Sequence, residues 1–522
     1  MIYLYVSWIG ITLLSGLYFY FRRAKFTPKF YRCYTWFLAA LVAIAGAFIY
    51  QGPILASKDL IYHHATVEAK VRHLIRREYY KDITDTDLHY GALKGMMDVL
   101  DPYSAFIPPK KVREFEENTT GKFGGLGIII EVQDKVLRVV TPIEGTPAHK
   151  AGILAGDQIL RIKTLKNGKW IEREADFETV EEARNNLIGK PGTVIYLTIY
   201  RPSTEEEKTF KLTRAIITIK SVKSAKILDA KHGIAYLRIT SFQSDTTAEF
   251  IKALHRLQNQ LQGRQLQGLI LDLRFNPGGL LDQAKSLVDQ FISKGVIVQI
   301  RGRNQKRSLS IYASSGGAAL KIPRVAVLIN RGSASASEIV AGALQDHHRA
   351  VLVGSRSWGK GSVQTVWDIP EGRDSEGQPI ISKIKLTTAR YFTPKGRSIH
   401  RELKANLSSS SPHGSEKGGL QPDVEVPTTS EENLLLLHKR QEEDIQEEKA
   451  KLHALSPQKQ RRHQQIQKEF ENLIHFNVNI HYFAFAKSRL KYDLFEDRVL
   501  KKALEILKDP KKYQKILKNS KY

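Results

Sequence analysis

The sequence predicts a mixed α/β (α+β) chain of several domains, and three observations carry that expectation. Its 522 residues exceed one compact core, since single cores stop growing near roughly 250–300 residues. Two uncharged apolar runs occupy the N-terminus, and beyond Arg214 strand-like segments alternate with helical ones, the grammar of α/β units. Hydrophobic residues at 42% and charged residues at 26% exclude a wholly disordered or collagen-like chain. The net charge of +26 permits contact with anionic surfaces, but the basic residues are spread along the chain with no aromatic-interleaved reader motif. No nucleic-acid partner is therefore expected. Cys33 is the one cysteine, which excludes an intramolecular disulfide and a Cys-based zinc site.

The apolar runs cover residues 2–21 and 34–57, each about long enough to cross a bilayer, which takes roughly 20 residues. Between them lie Arg22, Arg23, Lys25, Lys29 and Arg32, which the positive-inside rule places in the cytoplasm. Residues 1–57 are thus expected to form one or two transmembrane segments or an uncleaved signal anchor, with the rest of the chain exported. The rival reading makes the second run the apolar part of a signal peptide cleaved near Ala56.

Residues 58–113 read as a helical region. Val67, Val71, Ile75, Leu93, Met97 and Leu100 recur at three- and four-residue spacing, and Asp101-Pro102 stops the pattern. Glycines then crowd at 121, 124, 125 and 127, followed by the alternation of Ile128, Ile130 and Val132. A short helix at Gly145-Thr146-Pro147-Ala148 feeds a strand at Gly156-Asp157-Gln158-Ile159-Leu160. Residues 114–214 resemble a PDZ domain of the bacterial protease type. The resemblance implies that Phe123, Gly124, Gly125, Leu126 and Gly127 expose backbone N–H groups to a chain-terminal carboxylate, while the ligand adds a strand to the sheet edge.

After Arg214, strands are expected at 234–239, 269–273, 324–329 and 350–353, with helices at 246–261, 280–292 and from about 335 to 345. Twice a strand delivers a small-residue turn to a helix N-terminus, at Asn276-Pro277-Gly278-Gly279 and Gly332-Ser333-Ala334, where backbone N–H groups favour an oxyanion. Residues 403–419 read as a polar surface insertion. Residues 428–522 read as a charged helical tail, with 441–449 as a solvated face. No internal repeat is present.

Several chemistries fail on residue type. The segment Gly354-Ser355-Arg356-Ser357-Trp358-Gly359-Lys360-Gly361 nearly matches a phosphate-binding loop, but Gly361 lacks the hydroxyl that would hold magnesium. No G-x-S-x-G elbow surrounds Ser333, Ser335 or Ser337, and no H-E-x-x-H zinc motif occurs. What remains is a serine cluster at a helix start and Lys360 in a glycine-flanked turn. Such a pair suits a Ser/Lys hydrolase if burial or nearby positive charge lowers the amine pKa from about 10.4. His347 and His348 stay open as alternative bases.

Over residues 58–426 the chain resembles the C-terminal processing peptidases, or tail-specific proteases. The resemblance rests on Leu100-Asp101-Pro102-Tyr103-Ser104, the PDZ segment, 272–279, 332–339, 359–364 and Tyr391-Phe392-Thr393-Pro394-Lys395-Gly396-Arg397, all in the family's order. It implies a crotonase-like α/β protease core at 215–427. The family's lysine stands 25 residues after its serine and a glutamine four beyond that, which selects Ser335, Lys360 and Gln364. Ser335 is implied as nucleophile, Lys360 as base and Gln364 as the group orienting the amine. The oxyanion would be held by Ala336 with Gly278 or Gly279; Glu338 and Asp346 would be structural. No metal or organic cofactor is called for. The implied partners are proteins or peptides with exposed, rather apolar C-termini, the membrane, and a second copy of the chain or a regulatory adaptor. The location expected from the two apolar runs and their basic connector, which depart from the family pattern, is the bacterial inner membrane with the protease on the periplasmic side. The competing reading is an inactive membrane-tethered PDZ adaptor.

Overall fold

The structure, a computed structural model, describes residues 52–520 apart from 134, 167, 203, 304–307, 315–316, 375–376, 402–417 and 454–495. The first apolar run and nearly all of the second therefore lie outside the described residues, as do most of the polar insertion and the middle of the tail. Among the described residues no helix is long and apolar enough to cross a membrane. The chain divides into two compact units, Met1–Met96 and Met97–Tyr522.

The first unit contributes the helix Gly52–Glu78 and most of a second, Asp85–Asp98. Thr84 starts the second helix by accepting the Asp87 amide on its hydroxyl at 3.1 Å. The three- and four-residue spacing does mark helices here, but it does not mark a core. Val67 and Val71 are 46% and 49% exposed, and no side chain of Asp85–Asp98 is buried.

The larger unit is built on a six-stranded sheet in the order Val222–Asp229, Ile234–Ile239, Gly268–Asp272, Arg324–Ile329, Val351–Gly354, Val424–Glu425. All neighbours pair in parallel except the first two. Alternate side chains face opposite ways. Leu237, Leu269, Leu271, Val325, Val327 and Leu352 pack against the helices Thr246–Gln260, Leu281–Val288 and Ala336–Asp346. Ile234, Tyr236, Ile270, Ala326, Leu328 and Val351 face the other way, onto Val499, Ala503, Ile506, Leu507 and Tyr513.

These last residues belong to the helices Arg498–Lys508 and Pro510–Asn519, in the stretch 428–522 that the sequence reads as a charged helical tail. A parallel sheet needs cover on both faces, and the C-terminal helices supply the second cover. A further helix of the tail among the described residues, Ser430–His453, buries Leu435, Leu436 and Arg440. Asp444, in the stretch read as a solvated face, pairs with buried Arg238.

The PDZ sheet runs Ile128–Gln133, Val136–Pro142, Gln158–Lys166, Val194–Arg201, Glu206–Thr213, all antiparallel, with Lys169–Glu174 branching from Gln158–Lys166. Ile128–Gln133 is an edge strand beside the helix Val180–Leu187. The boundary expected at 113/114 falls inside the helix Pro109–Thr120. A two-stranded ribbon joins the domain's entry and exit, with Lys122–Gly125 paired to Ala215–Thr218.

A second sheet was not legible in the sequence. The long hairpin Ser362–Arg373 and Pro379–Phe392 joins Ala105–Ile107, Val296–Gly302 and Leu309–Tyr312. It carries residues 362–364 beside the Lys360 turn, and through Ala105–Ile107 it draws in residues 101–104.

Candidate active site

The loops that leave three parallel strands at their C-terminal ends converge, the place where open α/β sheets build sites. After Gly268–Asp272 comes Asn276, fully buried, whose Nδ2 donates to the Ile239 carbonyl at 2.9 Å. Its Oδ1 accepts from the Gly278 amide at 2.9 Å, and its carbonyl accepts from the Ala334 amide at 3.0 Å. The glycine loop is thereby fastened to the serine loop that follows Arg324–Ile329. A Cβ on Gly278, whose φ is +100°, would lie 2.7 Å from Ser335 Cβ and 2.8 Å from the Ala336 nitrogen, so only glycine fits there.

Geometry separates the three serines. Ser333 and Ser337 are fully buried, and their hydroxyls donate to the Leu273 and Asn276 carbonyls at 2.8 and 2.9 Å. Ser335 is 9% exposed and caps the helix Ala336–Asp346 with φ 54° and ψ −115°, a region costly for any residue but glycine. Of the three N–H groups expected at the oxyanion site, that of Gly278 is spent on Asn276. Those of Gly279 and Ala336 have no acceptor among the described residues.

Glu338 is fully buried, and one of its oxygens accepts from the Ser335 and Lys360 amides, each at 2.8 Å. The other accepts from the Gly359 amide at 2.7 Å and the Ser357 hydroxyl at 2.5 Å. Burial pushes this carboxyl above its ordinary pKa, and the four donors oppose that push. One side chain therefore ties the serine turn to the lysine turn. Gly361 lets a third segment approach, since a Cβ there would sit 2.4 Å from the His400 nitrogen. The residue that disqualified the phosphate loop is a packing requirement.

The Lys360 amine lies 5.1 Å from the centroid of the Tyr103 ring, a cation–π arrangement. Burial, and then the charge of Lys385, lower its pKa, with Glu338 opposing. Among the described residues no hydrogen bond joins Lys360 Nζ to Ser335 Oγ. Among the described residues no hydrogen bond joins the Gln364 side chain to Lys360 either. Its Nε2 donates to Ser362 Oγ at 2.9 Å and Thr387 Oγ1 at 3.2 Å. Thr387 Oγ1 in turn donates to Asp101 at 3.1 Å. Burial raises the Asp101 carboxyl, but donors from Ser104, Tyr103 and Thr387 outweigh it and hold the group below its usual range. Sequence reasoning named Asp101-Pro102-Tyr103-Ser104 as a motif without a role, because its partners lie more than 250 residues away in the chain.

The histidines are placed elsewhere. His347 Nε2 is 2.6 Å from the Val296 carbonyl and His348 Nε2 is 3.0 Å from Lys395 Nζ. Asp346 accepts the Lys395 amide at 2.8 Å and pairs with Arg397.

In the PDZ carboxylate segment, Phe123, Gly124 and Gly125 belong to the paired strand Lys122–Gly125, so only Leu126 and Gly127 form the turn before the edge strand. Their carbonyls accept from the Ala148 amide at 3.0 Å and the Ile143 amide at 2.8 Å. Their N–H groups have no acceptor among the described residues.

A PDZ-domain model matches residues 124–213, and a model of peptidase family S41 matches 233–426. Site, fold and these matches define a serine-type peptidase with a PDZ domain. The carboxy-terminal-processing protease of Bartonella bacilliformis is 42% identical over 325 residues, 62% of this chain and 70% of that protein. A probable CtpA-like serine protease of Staphylococcus epidermidis is 34% identical over 362 residues, 69% of this chain and 65% of the relative. The chain belongs to the carboxy-terminal-processing proteases of peptidase family S41. The solved photosystem II D1 C-terminal processing protease is 28% identical, covers 67% of this chain and 85% of its own, and superposes with a TM-score of 0.36, too loosely to bear on the argument.

Proposed function

We propose that this chain is a membrane-anchored endopeptidase that takes proteins by accessible, rather apolar C-termini on its PDZ domain and cleaves them with Ser335 and Lys360. The observation that carries the proposal is Glu338, one buried carboxylate that accepts from the amides of both residues. The neutral Lys360 amine removes the Ser335 Oγ proton as Oγ bonds to the scissile carbonyl carbon, and the carbonyl electron pair moves to oxygen. The N–H groups of Ala336 and Gly279 hold that oxyanion, each donor contributing about 2.7–4 kcal/mol. Collapse breaks the C–N bond, Lys360 returns the proton to the leaving amine, and water repeats the sequence on the acyl-enzyme. Gln364, its amide donors held by Ser362 and Thr387, offers Oε1 to the ammonium.

The lysine over Tyr103 represents a resting arrangement. A peptide captured at Leu126 and Gly127, with its strand beside Ile128–Gln133, shifts the population toward an aligned pair. The apolar runs at 2–21 and 34–57 anchor the chain in the bacterial inner membrane, with the protease in the periplasm.

The test is cleavage of an unfolded reporter with an apolar C-terminal tag by the full chain in detergent, beside Ser335→Ala and Lys360→Ala. Cleavage by the parent and loss in both variants is the expected result. Tag binding without cleavage by the parent would favour the tethered adaptor. Cleavage surviving Lys360→Ala would remove lysine as the base.

A further inference from the structure

A cavity of about 590 Å³ opens on the PDZ domain between the hairpin 158–174 and the loop 185–194. That volume lies within the roughly 300–1,000 Å³ of ordinary ligand sites. None of its walls comes from residues 123–133, so it is separate from the carboxylate turn and the edge strand. Its lining holds Arg113, Arg173, Lys190 and Arg214 and no acidic residue.

The cations are not equivalent. Arg113 and Arg173 have carboxylates at 3.6 and 3.7 Å, from Glu117 and Glu182. Lys190 and Arg214 have none among the described residues. Arg214 is only 6% exposed, and its guanidinium donates to two neutral acceptors, the Leu187 carbonyl at 2.8 Å and Thr193 Oγ1 at 3.1 Å. Burial, and then Arg113, push its pKa down, which marks a buried charge with no counter-charge. The bond to Leu187 closes the helix Val180–Leu187, but a neutral donor would serve that purpose. On the rim, Leu165, Trp170 and Ile171 are 54%, 45% and 47% exposed, and Trp170 is braced edge-on against Tyr196 at 5.2 Å.

We propose that this cavity binds an acidic segment of a protein partner, its carboxylates against Arg214 and Lys190 and its apolar side chains against Trp170, Leu165 and Ile171. The charge complementarity selects an acidic ligand, and the apolar rim selects a peptide over a bare anion. The site serves docking and is independent of the proteolytic reading, because its occupation is measured as binding.

The experiment uses full-length protein in detergent carrying Ser335→Ala, and fluorescence anisotropy of a labelled, end-blocked peptide that repeats Glu-Phe-Glu-Glu-Leu-Glu. The amide terminus keeps the peptide off the carboxylate turn. Saturable binding is expected, weakened at least about tenfold by Lys190→Glu and by Trp170→Ala, and abolished when Gln replaces Glu in the peptide. Both substituted side chains lie at the surface, and an unchanged thermal midpoint verifies their folding. Equal affinity in the variants, equal binding of the Gln peptide, or displacement by an apolar peptide with a free C-terminus would overturn the proposal. So would binding of phosphatidylglycerol vesicles or single-stranded DNA with the acidic peptide ignored.

Discussion

In a Glu338→Gln variant, one carboxylate oxygen becomes an NH2 group facing two donors. If that group points at Ser335 and Lys360, both amides lose the bonds they make at 2.8 Å. If it points the other way, the Ser357 hydroxyl can rotate to accept it, but the Gly359 amide, now bonded at 2.7 Å, is orphaned. Hydrogen bonds to a charged group contribute about 1.5–3 kcal/mol each, so the second orientation, which orphans one amide, is the cheaper and costs about 1.5–3 kcal/mol. Against this stands the relief of burying a neutral amide in place of a charge, because burial is the largest influence on Glu338. A net loss of about 1–2 kcal/mol is expected, and the loop carrying Gly359 and Lys360 should shift against the serine turn. A misplacement of about 1 Å costs roughly 10²-fold in rate. Urea unfolding gives the first quantity, and turnover of the tagged reporter at saturating substrate gives the second. A variant within about 0.5 kcal/mol of the parent in stability and about twofold in kcat would refute the claim that Glu338 couples the turns.

Two further outcomes follow from neighbouring groups. Lys360 can accept a proton only when neutral, so kcat should rise with pH through its lowered pKa; Lys385→Gln removes one lowering charge, moves that limb to higher pH and slows neutral-pH turnover. A pH–kcat profile checks this, and an unmoved limb would show that the Lys385 charge does not reach the amine. Ile506→Ala in the C-terminal helix deletes a fully buried side chain from the sheet's second face and should cost about 2–5 kcal/mol by urea midpoint. A change near zero would show that these helices add nothing to the stability of the sheet.

Local patterns carried much of this architecture. The strands Ile234–Ile239 and Arg324–Ile329 end where their short apolar runs end in the sequence, because strand propensity is local. The hairpin Ser362–Phe392 escaped notice since its faces are mostly half-exposed or polar, leaving no clean alternation to read.

The partners of charged groups were less legible. Asp272 is fully buried; burial raises its carboxyl, but Arg274 and Arg440 hold it well below the usual range. Arg440 lies 168 residues along the chain from Asp272, and Arg274 also binds Asp497 at 2.7 Å, 223 residues away. No spacing rule reaches such distances, so the sequence offers no partner for Arg440 or Asp497, and residues 441–449 read as a solvated face.

The sequence alone determined the PDZ segment, the alternating core and the order of the Ser335, Lys360 and Gln364 motifs, since each is written in contiguous residues. Only the tertiary structure decided which N–H groups of the glycine and serine loops are left without an acceptor, that Lys360 rests on Tyr103, and that the C-terminal helices cover the sheet's second face. Those outcomes depend on which distant groups meet once the chain must cover its apolar faces and satisfy every buried polar atom.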